Sequence, residues 1–129
     1  IELVIPASTV QVGLGYIAGF RTFPFNTGTE GDVLSGKVKR IHKLHILFFD
    51  TVGAKFGFDP NELETMQFRD SSMSMDEPVP PFTGVKDLNF TMRHDQDAHI
   101  IVRSDQPLPM TVLQVAASME FFRDAGGQQ

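Results

Sequence analysis

The sequence predicts an all-β domain, mainly antiparallel, built as a sandwich or a barrel. Three observations carry that reading. Short apolar runs alternate with period two, as strands with one buried face do. Gly and Pro signals punctuate them at close spacing. The sharpest feature is Asp105-Gln-Pro-Leu-Pro-Met-Thr-Val-Leu113. Pro107 and Pro109 lock their own φ and offer no donor to a ladder. Leu108, held between them, is extended. The result is a rigid joint between a strand at 99–103 and another at 110–116, and the segment 110–122 ends the fold.

Taken in order, residues 1–5 and 10–12 read as short strands separated by Pro6. Residues 16–23 alternate, with Tyr16, Ala18, Phe20 and Thr22 on one face. Residues 26–36 are polar, include Gly28, Gly31 and Gly36, and read as a loop. Residues 39–50 form the longest apolar segment. A helix pattern also threads it, through Val38, Ile41, Leu44 and Leu47, but β-branched and aromatic residues favour a strand. Leu44, Ile46 and Phe48 then share one face, and His45, Leu47 and Phe49 the other. A strand this apolar on both faces calls for cover on both, within the domain or from a neighbouring subunit.

Asp50 to Gly53 reads as a turn into a strand at 54–58. The stretch 61–68 is ambiguous. Asp59-Pro60-Asn61-Glu62 resembles a helix start, so a short helix stays open there, whereas Thr65, Met66 and Phe68 suit a strand. Residues 71–81, rich in Ser, Met and Pro, read as an irregular loop, and Thr83-Gly84 as a turn. Residues 85–93 alternate, placing Leu88, Phe90 and Met92 inward. A polar turn at 94–98 then predicts a hairpin over 85–103. About seven to nine short strands at this spacing fit a sandwich or barrel. The expected core is Phe20, Leu44, Ile46, Phe48, Leu88, Phe90, Ile101, Val112 and Leu113.

A chain of 129 residues with 41% hydrophobic content is enough for one globular domain, placed at 1–122, with a flexible polar tail at 123–129. The first residue is Ile1 inside a strand-like run, which predicts a fragment of a longer chain. A net charge of −5 argues against a nucleic-acid surface, and the absence of cysteine rules out disulfides and thiolate metal ligands. No run is long and apolar enough to span a bilayer, so no membrane partner is expected.

The chemistry-bearing residues point away from catalysis. His42 and His45 could share a metal on a helix but fall on opposite faces of a regular strand. His94-Asp-Gln-Asp-Ala-His99 imitates the start of a calcium loop without its glycine or its later acidic ligand; a polar turn explains it. Gly13, Gly15 and Gly19 miss the dinucleotide spacing, and no helix follows. No serine sits in a nucleophile elbow. The expectation is therefore no enzyme, no cofactor and no metal site. The residues expected at an interface are Leu47 and Phe49 on the long strand and Met73 and Met75 in the Ser-Met-Ser-Met loop.

Several of these segments also recur together in a known family. Gly13-Leu-Gly-Tyr16 is followed by Thr22-Phe-Pro24. Lys37-Val-Lys-Arg-Ile41 leads into the apolar strand, and Asp50-Thr-Val-Gly53 and Pro81-Phe-Thr-Gly84 make turns. Asp105-Gln-Pro-Leu-Pro-Met-Thr-Val-Leu113 closes the pattern. In these segments, from about Val10 to Phe122, the chain resembles the C-terminal part of the tail nozzle proteins of short-tailed bacteriophages, the tail tubular protein B type. Gly15 stands where that family tends to carry Pro. The resemblance implies a virion structural protein, located in the tail and made in the bacterial host cytoplasm. It implies a ring of copies of itself, contacts with other tail proteins, and viral DNA that passes without specific binding. It carries no catalytic residue. Two rival readings are a β-sandwich module that recognises a glycan or partner protein through the loops 26–36 and 71–81, and a metal-assisted hydrolase using the histidines.

Overall fold

The computed structural model describes residues 2–10, 12–25, 37–90 and 92–122. The loop at 26–36 and the tail at 123–129 lie outside them. The described chain is all-β, with seven strands and no helix. They are β1 (Ala18–Arg21), β2 (Lys39–Thr51), β3 (Lys55–Asp59), β4 (Glu62–Thr65), β5 (Phe82–Asn89), β6 (Ile101–Ser104) and β7 (Val112–Phe121). Two antiparallel sheets form, one in the order β1-β6-β3-β4 and the other β5-β2-β7. They do not close into a barrel and stack as a sandwich around one apolar cluster.

β2 organises that core. Ile41, Leu44, Ile46 and Phe48 point inward and are fully buried. The opposite sheet supplies Phe56 from β3 and Val102 from β6, while Phe90 and Met92 follow β5 and Ala98 and Ile100 precede β6. Aromatic rings bridge the layers. Phe48 meets Phe68 edge-on at 5.5 Å, and Phe56 and Phe58 lie 5.7 and 6.1 Å from Phe90. The inward set Leu88, Phe90 and Met92 is as the alternation predicts, with Leu88 half-buried against the cluster.

Several expectations are corrected. Residues 2–5, 10 and 12 form no strand, and every described residue from 2 to 17 is exposed. Their β propensity is realised only against a partner strand, and none among the described residues is paired with them. The short helix left open at 61–68 is instead β4, the second arm of a hairpin with β3. Asp59 does not cap a helix: its Oδ1 accepts the Asn61 N–H at 2.8 Å and closes the turn. Thr83-Gly84 is no turn but lies inside β5, where Gly84 takes φ +147°. Glycine there serves a kink within a strand.

The expected hairpin over 85–103 does not exist. β5 pairs with β2, whereas β6 pairs with β1 and β3 in the other sheet. The connection is pinned midway, because the Lys39 and Asp95 backbones exchange hydrogen bonds at 2.9 and 3.0 Å. Three core assignments also shift. Phe20 and Leu113 are exposed, by 39% and 59%. Ile101 is half-buried, while its neighbours Ile100 and Val102 fill the core. In β6 the phase is off by one residue, which exchanges the two faces.

The proline joint is real and it connects the sheets. β6 ends in one and β7 begins in the other. Leu108 N–H donates to Gln106 O at 2.7 Å, a tight turn centred on Pro107. Pro109 O accepts the Val52 N–H at 3.0 Å, which ties the joint to the β2–β3 corner. Thr51, fully buried, reinforces the tie: its hydroxyl accepts the Thr111 N–H at 3.0 Å and faces the carbonyls of Phe49 and Thr111.

Candidate functional site

The candidate site is the outer face of the three-stranded sheet. Alternation along β2 turns His45, Leu47 and Phe49 away from the core because Leu44, Ile46 and Phe48 turn into it. β5 pairs Val85 with Leu47 and Asp87 with His45, and β7 pairs Gln114 with Leu47 and Ala116 with His45. Val112, Val115, Ala117 and Met119 pack inward, so Gln114 and Ala116 face out. A register shift between Leu47 and Phe48 leaves Leu113 between their partners Gln114 and Val112 and turns it outward as well.

The face has a polar end and an apolar end. At the polar end His45 Nδ1 lies 2.5 Å from Asp87 Oδ1. At the apolar end Leu47 is half-buried, and Phe49, Val85 and Leu113 are 49%, 56% and 59% exposed. No described strand or loop packs over this stripe. A contiguous exposed apolar stripe with a polar rim is the usual form of an interaction surface.

The backbone beneath is held stiffly. Asp50, at the end of the stripe, takes φ +42°. Its N–H donates to Thr83 Oγ1 at 3.1 Å, and that hydroxyl donates to Asp50 Oδ1 at 3.2 Å. Phe49 N–H donates to Thr111 O at 3.0 Å. Phe49 is thus anchored through its own N–H and through its neighbour Asp50.

Of the four residues expected at an interface, Leu47 and Phe49 share this face. Met73 and Met75 lie on the separate loop after β4, half-buried and 82% exposed. That loop is braced from within, since Arg69 donates to Ser74 O at 2.5 Å and to Glu77 O at 3.0 Å. Sequence reasoning missed Val85 and Leu113. The signal for Val85 was present, because it alternates against Leu88. Leu113 was hidden by the register shift.

No protein-family model and no curated protein matches the chain. The remaining chemistry must be weighed on geometry.

His42 and His45 do not fall on opposite faces as a regular strand would place them. An irregularity between Ile41 and Lys43 lets Ile41 and Leu44, three apart, both be fully buried. His42 and His45 therefore both turn outward. His45 is engaged by Asp87, and among the described residues no three His, Cys, Asp or Glu side chains converge as metal ligands. The His94–His99 cluster is a turn. Asp95 Oδ1 accepts the Asp97 N–H at 3.1 Å, and His99 sits between Asp97 O and Phe58 O at 2.8 and 3.1 Å. A cavity of about 170 Å³ is lined by Lys55, Thr65, Arg103 and Asp105 among others. Lys55 closes on the Asp105 carboxylate, and that hydrogen bond holds the carboxyl below its ordinary pKa.

Proposed function

We propose that the chain is a virion assembly domain, a β-sandwich module of a short-tailed phage tail nozzle that packs against copies of itself in a ring. Its role is structural and includes no catalytic step. The observation that carries this reading is the rigid apolar stripe Leu47, Phe49, Val85 and Leu113 on the outer face of the three-stranded sheet. Each is already about half covered within the domain, so burying the remainder would contribute about half of the roughly 1.5–3 kcal/mol of a fully exposed side chain. The sequence resemblance supports the same reading, and with it a place in the virion tail beside other tail proteins. The net charge of −5 suits a neighbour of passing DNA, because an acidic surface does not grip a phosphate backbone.

The test is chemical cross-linking of purified virions of the phage that encodes the chain. Self-links that join residues of the β2–β5–β7 outer face in different copies are expected. Virions that lack the chain, or hold it only as single separated copies, overturn the reading.

A further inference from the structure

β7 is an edge that the rest of the described domain leaves open. It pairs with β2 on one side, and no described strand pairs with the other. Other edges are blunted. β1 and β4 are four residues each, and β4 carries Glu62 and Glu64. β5 is kinked at Gly84 and carries Lys86 and Asp87. β7 runs ten residues, and Glu120 is its one charge. Long, uncharged edges are templates for strand pairing, and folds ordinarily protect them.

The same chain carries a strand-like segment that forms no strand among the described residues. Between Glu2 and Arg21 there is no charged residue. Val10, Val12, Leu14 and Tyr16 alternate at period two and are exposed by 48%, 68%, 91% and 55%. The segment passes close to its own domain at Gly13, where an added methyl would lie 2.6 Å from Pro107 Cβ. From Ser8 to Tyr16 it would span about 30 Å as a strand, and β7 spans about 33 Å.

We infer that residues 8–16 of one copy add as a fourth strand to the β7 edge of the next copy. This rests on the ring reading and adds a second contact to the outer face. Strand addition would satisfy the backbone groups of both segments and bury the alternating apolar side chains. The contact is heterologous, arm to edge, so each copy gives one arm and receives one. Contacts of that kind close into rings when the rotation allows.

The chain has no cysteine, which makes disulfide mapping clean. Val12→Cys in one preparation of the full chain is mixed, under mild oxidation, with single cysteine variants at each of positions 113–118 in another. Gln114→Cys and Ala116→Cys change exposed side chains and leave the packing intact. The expected result is cross-linked pairs of chains concentrated at one position along β7, because a disulfide bridges only Cα atoms about 4.4–6.8 Å apart. Moving the first cysteine from Val12 to Leu14 should shift that position by two, the period of a paired strand. Cross-links at no position, or at all positions equally, overturn the arm. If virion self-links persist in that case, the arm alone is wrong and the ring stands. If a double Val12→Cys, Ala116→Cys chain links only within itself, the arm belongs to its own copy and the inference also fails.

Discussion

Thr51 shows how much one buried hydroxyl can hold in place. It is fully buried at the corner where β2 leaves its sheet, and it is the acceptor for the Thr111 N–H. Thr51→Val keeps the shape and removes that acceptor. The variant is expected to lose about 0.5–1.5 kcal/mol, because the hydrogen bond that ties the corner is removed. Thr51→Ser, which keeps the oxygen, should lose clearly less, and urea titration of both variants checks this. Asp105 allows a pH prediction. Its carboxyl is held below the ordinary value, first by the Lys55 hydrogen bond. A lowered folded-state value means that its stabilising effect is present above the unfolded value near 4 and fades as pH falls through the folded one. Asp105→Asn should therefore be less stable than the wild type at pH 6, and the gap should close toward pH 2. A gap that stays constant across that range would show that the ion pair does not stabilise the fold.

At the scale of elements, two devices keep strands where they are. The first is Gly19 in β1, which lies opposite Arg103 of β6. A methyl group there would sit 2.6 Å from the Val102 carbonyl oxygen, a backbone atom with little room to move. Gly19→Ala is expected to cost about 1–3 kcal/mol through overpacking and to loosen the β1–β6 pairing, seen as faster amide exchange in β1. The second is the proline joint. Replacing Pro107 and Pro109 by Ala leaves the carbonyl that Val52 uses, yet it frees the unfolded chain. The expected loss is about 0.4–1 kcal/mol at each site. Unchanged stability in denaturant would mean that the joint is held by its hydrogen bonds alone.

For the whole molecule, Phe48 and Phe49 are adjacent in the chain and do opposite work. Phe48 is fully buried between the sheets, edge-on to Phe68. Phe48→Ala should cost about 3–5 kcal/mol, a large share of the roughly 5–15 kcal/mol a domain has. Phe49 is 49% exposed on the proposed interface. Phe49→Asp should leave the β circular dichroism and the melting midpoint near wild type while lowering virion yield at least tenfold. Equal virion yield would remove this face from the assembly.

The sequence by itself determined what depends on neighbours along the chain. Period-two alternation with β-branched and aromatic residues was enough to make 39–50 a strand, with Leu44, Ile46 and Phe48 inward and Leu47 and Phe49 outward. The fixed φ of Pro107 and Pro109 was enough to mark the joint. Only the tertiary structure decided which strands pair, because strand pairing is fixed by contacts between distant residues. Residues 85–93 and 99–103 read as a hairpin locally, yet β2 and β3 offered each of them a different partner. Residues 61–68 carried mixed signals, and β3 resolved them into a strand. The tertiary structure also decided facing wherever the ladder slips. A bulge adds one residue and reverses the alternation beyond it. That is why Leu113 left the expected core for the surface, and why His42 and His45 came to one side of β2.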